Sequence, residues 1–432
     1  MRIPLKKSSD IIYYTPRFYP SISGAEFYIM NLANQMYASD RKVQILCSTA
    51  IDFKGIRSRE GLHVESNHPN YKSYKGIPIH RIIPEFTINM QEFNQLLKGS
   101  DVWDNSNYKS LLENGPNHTK FFLNLLKNRK TIKFSGKIIH SSYLPYAPIL
   151  FSSIYSHQLN IPSVCTPFIH MNNPRYQKTT YEQILKTYDR IITCTETEKT
   201  YLIEKGISQN KIVTIPMGVD YRLYESPPTT RSGKLKSFKN AFGIKNPFVL
   251  FCGYKNFEKG AINLLHAAVL TKKALSKLMY VFIGPSTPAF DIELKKARKY
   301  GISVLNLTPD NLKGYYDWRK ISAFQECEMY VMPSRSDAYG ISYLEAWASK
   351  KPVIGADTPV MREVIQHGKD GLLAEFDDIS RISECIKNLF ENKQKTREMG
   401  LLGYSKIRKQ NSWELVGLKT KEVYDELIEF ND

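Results

Sequence analysis

Short apolar runs separated by longer amphipathic stretches recur in two series along the 432 residues. No other feature of the chain restricts its fold as much. In the first series the runs fall at residues 11–14, 43–47, 137–140, 163–166, 190–193 and 212–216. Helical patterns such as 25–38 and 197–205 lie between them. Strands buried on both faces read as continuous apolar runs, and an alternation of strand and helix builds a parallel sheet with helices on both sides. The rhythm stops between Gly218 and Pro247, where Pro227-Pro228 and several lysines make a linker-like passage. It resumes with runs at 248–252, 280–283, 303–305, 329–332 and 352–355. The chain is also too long for one ordinary core. The expectation is an α/β protein with two doubly wound domains, 1–220 and 221–408, and a closing amphipathic helix over 409–432. Residues 86–133 are polar and partly helical and interrupt the first domain. They read either as an appended helical hairpin or as part of an acceptor or membrane-contact surface.

A formal net charge of +18 suits an anionic partner. The basic residues are scattered, and the concentrations at 127–130 and 231–239 lack the interleaved aromatics of a nucleic-acid surface. No nucleic acid is expected. A phosphorylated ligand is, together with peripheral contact with an anionic membrane. No two of the six cysteines share a metal-type spacing, and most sit in apolar runs. They read as core residues of a cytoplasmic, reducing compartment. The run 11–14 is too short for a signal peptide, and the longest apolar stretch, 143–156, contains Pro145 and Pro148.

Four junctions carry candidate chemistry. The run 329–332 leads into Pro333-Ser334-Arg335-Ser336-Asp337-Ala338-Tyr339-Gly340, and a helix starts near Gly340. N–H groups at a helix start, beyond the carboxyl end of a strand, form an anion site. Asp337 and Glu345 flank it with carboxylates able to accept from sugar or ribose hydroxyls. The plainer reading makes Asp337 a helix cap and Glu345 a solvated acid. The run 248–252 opens onto Gly253, and Lys259-Gly260 precede the next helix, where an ammonium suits a phosphate. Gly24 joins the first strand to the first helix, where a glycine lets a ligand approach the backbone. His170 follows the run 163–166, with His140 as its rival for a polar or proton-carrying role.

The motifs in order are Ser23-Gly24-Ala25-Glu26; Val213 to Asp220; Gly253 with Lys259-Gly260; Pro333-Ser334; Asp337 to Glu345; Lys351 to Gly355; Arg362 to Ile365; and Gly368 to Leu373. At these separations, and over nearly the whole length, they resemble a family 4 retaining glycosyltransferase of the GT-B fold. The resemblance implies two Rossmann-like domains facing each other across a cleft, with the last helix returning to the first. A nucleotide-diphosphate sugar would bind mainly to the second domain, and a glycan or lipid-linked acceptor mainly to the first. Glu345 falls on the ribose-binding acid, Asp337 on the acid beside the donor sugar, and Lys259 on the phosphate lysine. Backbone groups of Tyr339, Gly340, Ile341 and Ser342 would serve sugar and diphosphate. Gly24 and Gly253 match glycines near the diphosphate, and His170 the first-domain histidine near the sugar. Catalysis would rest on Asp337, Lys259 and His170, with no metal or other cofactor.

Two positions depart from the pattern. Asp337 stands where the family usually has Glu. Tyr254 follows Gly253 where the family usually has Arg, leaving Lys255 as the neighbouring source of charge. Three rivals stay open on the sequence. One is a non-catalytic carbohydrate-binding partner of another transferase, and one is a sugar-nucleotide epimerase or phosphorylase of the same architecture. A nucleic-acid binder is suggested by charge alone.

Overall fold

The computed structural model describes residues 9–21, 23–98, 108–127, 136–230, 232–312 and 317–429. The chain forms two compact units, one made of Met1–Ile215 with Trp413–Asp432, the other of Pro216–Ser412.

In the first unit, eight strands among the described residues form one sheet. They are β1 (Ser9–Tyr14), β2 (Val43–Ser48), β3 (Ser73–Tyr74), β4 (Ile77–Ile82), β5 (Gly136–Ser142), β6 (Ser163–Thr166), β7 (Arg190–Thr193) and β8 (Ile212–Thr214). Their order is β3-β4-β2-β1-β5-β6-β7-β8, parallel except for the β3–β4 hairpin. The hairpin turns at Lys75 and Gly76, both with positive φ, as a tight two-residue connection requires. Ile12, Ile139, Cys165 and Ile191 form the buried middle of the sheet.

Helices Met90–Leu97, Lys109–Asn114 and Thr119–Lys127 come from the expected insertion. They send Phe93, Leu111 and Phe122 into the same core, and Phe122 stacks on Phe151 at 5.0 Å. The segment therefore contributes core packing to the unit. Residues 99–107 and 128–135 lie outside the described residues.

The last helix, Trp413–Glu429, packs on helix Gly24–Ala38. Gly417 permits the approach, since a Cβ there would lie 2.7 Å from Gln35 Cβ. Tyr424 reaches His140 Nδ1, and His140 Nε2 bonds Thr166 Oγ1 at 2.8 Å. Burial pulls His140 down from 6.5 to about 3, and His118 likewise. Both are neutral in the fold and ordinary in the unfolded chain. Their contribution is unchanged above about pH 6.5 and is lost as the pH falls from there towards 3, because only the unfolded chain accepts those protons. Denaturant unfolding from pH 7 to pH 4 should show a steeper loss for the native chain than for His140→Gln. Equal slopes would contradict neutral burial.

In the second unit, six strands among the described residues form a parallel sheet: β9 (Phe248–Cys252), β10 (Met279–Ile283), β11 (Val304–Leu307), β12 (Met329–Met332), β13 (Val353–Ala356) and β14 (Gly371–Ala374). Their order is β11-β10-β9-β12-β13-β14. The chain winds one way from β9 and the other way from β12. Ligands of open α/β sheets bind at such a reversal, outside the carboxyl ends of the strands. The corresponding reversal in the first unit lies between β1 and β5. Among the described residues no helix is long and apolar enough to cross a membrane.

Candidate active site

Strands β9 and β12 are parallel neighbours, so the loops that leave them run side by side. The β9 loop starts at Gly253, whose N–H bonds the Ile283 carbonyl at 2.9 Å. It tightens where Lys259 N–H donates to Asn256 Oδ1 at 2.9 Å. Gly260 has φ +70°, and a Cβ there would sit 2.2 Å from the Pro333 carbonyl oxygen. Only glycine allows the two loops this contact. Arg335 N–H and Ser334 Oγ both donate to the Glu258 carbonyl, at 2.8 and 3.2 Å. The stitched loops bring Lys259 Nζ within 2.7 Å of Asp337 Oδ2, both partly exposed. Asp337 does not cap the following helix; Gly340 does, at φ +88°.

Helix Ile341–Ala348 starts beside this pair. Its first N–H groups have no acceptor within the helix and favour an anion. Ile341 and Ser342 are half-buried at its mouth, and Ser342 Oγ accepts from Tyr330 at 2.6 Å. Tyr339 is buried with its hydroxyl accepting from Asn411 Nδ2 at 2.7 Å, so its phenol is engaged inside the unit.

Glu345 is not a solvated acid. It is 3% exposed, and its Oε1 accepts from Tyr224 OH and Lys320 Nζ, both at 2.7 Å. Tyr224 and Lys320 are buried too. A carboxylate is retained in such a place when it is paired and hydrogen-bonded. Sequence reasoning missed both partners. The signal for Lys320 was faint: a lysine flanked by Ile321, Ala323 and Phe324 on a short helix.

Lys255 is fully buried. Its ammonium reaches Asn306 Oδ1 and, at 3.0 Å, the Leu307 carbonyl, and burial pulls it down to about 8. The charge is thereby engaged against β11. Tyr254, beside it, is about half exposed.

Gly24 and His170 belong to the first unit. Gly24 is exposed and opens helix Gly24–Ala38 after Ser23, whose N–H bonds Glu26 Oε2 at 2.9 Å. Arg17 Nε holds Glu26 Oε1 at 3.0 Å and fixes the turn. His170 is half-buried, its ring 4.9 Å from Tyr176. His140 has both ring nitrogens bonded within the core, which leaves His170 as the accessible member of the two. The structure thus gathers Lys259, Asp337, Glu345 and a helix start in the second unit, and turns Lys255 away into the sheet.

Two parallel α/β sheets, each wound in both directions, with an anion-ready helix start at one reversal, define a sugar-transferring enzyme of the GT-B fold once the relatives are added. The family model for glycosyl transferases group 1 matches residues 234–405, and that for glycosyltransferase family 4 matches 104–223. An uncharacterised glycosyltransferase of Methanocaldococcus jannaschii is 26% identical over 336 residues, covering 76% of this chain and 88% of that one. The alpha-monoglucosyldiacylglycerol synthase of Acholeplasma laidlawii is 24% identical over 330 residues, covering 73% and 75%. Among solved structures, Anabaena HepE in complex with UDP and glucose superposes with a TM-score of 0.68 at 15% identity, over 96% of this chain and 99% of that one. The chain belongs to the group 1, family 4 glycosyltransferases.

Proposed function

We propose that the enzyme moves a hexosyl group from a nucleotide-diphosphate sugar to a glycan or lipid-linked acceptor, with retention at the anomeric carbon. The observation that carries this reading is the Lys259–Asp337 pair, 2.7 Å apart beside a helix start at the sheet's reversal. A diphosphate placed there meets one ammonium and the first amides of helix Ile341–Ala348. Glu345, about a turn further on, is held to accept from ribose hydroxyls. The complex of HepE with UDP and glucose favours the same class of donor.

In the reaction, the anomeric C–O bond to the diphosphate breaks as the acceptor oxygen bonds to the same face of that carbon. The acceptor proton passes to the departing phosphate oxygen. Lys259 and the helix-start amides stabilise the charge that grows on that oxygen. Asp337 releases Lys259 to the phosphate and accepts from a hydroxyl of the donor sugar. Peripheral, cytoplasmic association with anionic lipid completes the reading, supported by the net charge of +18. It requires sedimentation with phosphatidylglycerol vesicles that weakens as salt rises.

Two measurements test the proposal. Proton NMR of the first product formed from an α-linked donor should show an α linkage; a β product ends the retaining assignment. Calorimetric titration with UDP, GDP and ADP should show tight binding of one of them and at least a tenfold loss in Glu345→Ala. Equal affinity in the variant removes Glu345 from the ribose.

A further inference from the structure

At the carboxyl ends of β1, β5 and β6 the first unit carries a basic, aromatic cluster for which the donor reading has no use. We propose that it is an anion-binding acceptor subsite, taking the phosphate or diphosphate of a phosphorylated sugar acceptor between Arg57 and Arg175. The inference rests on the transferase reading above and names the chemical class of the acceptor.

Arg175 lies over the Tyr146 ring at 5.4 Å, and its Nη2 bonds Asn114 Oδ1 at 3.3 Å. Arg57 flanks the same turn, its Cγ 3.5 Å from where a Cβ on Gly115 would stand. Both arginines are exposed, and among the described residues neither pairs with a carboxylate. Arg17, close by, is already satisfied: it is buried, paired with Glu26 and lies 3.7 Å over Phe53. Arg57 Nε donates to the Phe53 carbonyl at 3.3 Å, and Phe53 stacks on Tyr146 at 5.8 Å, giving the two guanidinium groups an aromatic floor. Burial pushes the Tyr146 hydroxyl up, while a hydrogen bond from Arg175 and the charges of Arg175, Arg17 and Arg57 pull it back. Two guanidinium forks beside the Asn114–Gly115 turn suit a group with several oxygens and more than one charge, which is a phosphate rather than a single carboxylate. An aromatic face beside them suits a sugar ring.

The backbone and the buried hydroxyls point to the same place. Tyr143 and Phe168, just beyond β5 and β6, hold φ of +82° and +54° without being glycine. Such strain collects at ligand sites. Thr15 Oγ1 and Ser142 Oγ, at the ends of β1 and β5, are fully buried and have no hydrogen-bond partner among the described residues. Buried polar groups of that kind are rare, and these two sit at the reversal of the sheet.

The test uses the full chain and inorganic pyrophosphate, in a Lys259→Ala background that removes the donor lysine. Pyrophosphate should bind Lys259→Ala, and adding Arg57→Gln and Arg175→Gln should raise its Kd at least tenfold. Arg57→Gln/Arg175→Gln alone should leave UDP, GDP and ADP affinities unchanged, and its circular dichroism melt should match that of the native chain. Absence of pyrophosphate binding in Lys259→Ala, or the same Kd with and without the two arginines, overturns the subsite. Arginine-dependent pyrophosphate binding in a chain that takes no nucleotide supports the subsite and sinks the donor reading instead. Phosphatidylcholine vesicles carrying undecaprenyl diphosphate, set against glucose 1-phosphate in solution, separate the two sources. Arginine-dependent retention on the vesicles assigns a lipid-borne acceptor, and arginine-dependent binding of the sugar phosphate alone assigns a soluble one.

Discussion

Lys259→Ala is expected to lower kcat about 10²- to 10³-fold, the usual effect of removing one preorganised donor from a developing oxyanion. The fold should survive. Lys259 and Asp337 are both partly exposed, and such a pair contributes about 1 kcal/mol or less to stability. The loss therefore belongs to the transition state, where the leaving phosphate oxygen gains charge that the ammonium no longer meets. Asp337 accepts from that ammonium at 2.7 Å and so would compete with a phosphate for it. Asp337→Asn should accordingly bind a nucleoside diphosphate more tightly than the native chain while turning over more slowly. Steady-state rates at saturating donor, with titration of the diphosphate, read both effects. A Lys259→Ala enzyme within a few-fold of native kcat would remove charge stabilisation by this lysine from the mechanism.

Much of the architecture is written in local pattern. Runs such as Phe248–Cys252 and Met329–Met332 are apolar on both faces because helices cover both sides of the sheet. The β3–β4 hairpin was not legible in the same way. Pro78 interrupts the alternation of Ile77, Ile79 and Ile82, and prolines argue against strands unless they sit where no N–H is needed. Here Pro78 stands opposite Ser73 in a two-residue edge strand. In the site, the glycines are readable because positive φ and close approach admit little else: Gly260 against Pro333, and Gly340 at the helix start. Side-chain direction is harder. Lys255 reads as a cation beside a phosphate loop, yet it bridges to Ser286 as an extended residue and points to the sheet side. Tyr224 and Lys320 lie 121 and 25 residues from Glu345, and no local pattern links them to it. Their convergence on one oxygen is a property of packing.

That convergence also bears on stability. Lys320→Met should destabilise the chain by about 3–5 kcal/mol, because it leaves the Glu345 carboxylate buried without its counter-charge. The second variant separates electrostatics from packing. With Glu345 also made neutral, as Lys320→Met/Glu345→Gln, no uncompensated charge remains, and Tyr224 can still donate to the amide oxygen. Most of the lost stability should return, so the two substitutions are strongly non-additive. Function should follow a different order. Lys320→Met, where it stays folded at low temperature, should bind nucleotide weakly, because Glu345 has lost a group that fixes its Oε1. The double variant should be stable and still bind weakly, because an amide is a poorer acceptor for a ribose hydroxyl than a carboxylate. Denaturant unfolding and nucleotide titration on the three variants read both orders. Additive losses of stability would show that Lys320 acts by filling space, and native nucleotide affinity in the double variant would show that the buried carboxylate serves the fold and not the donor.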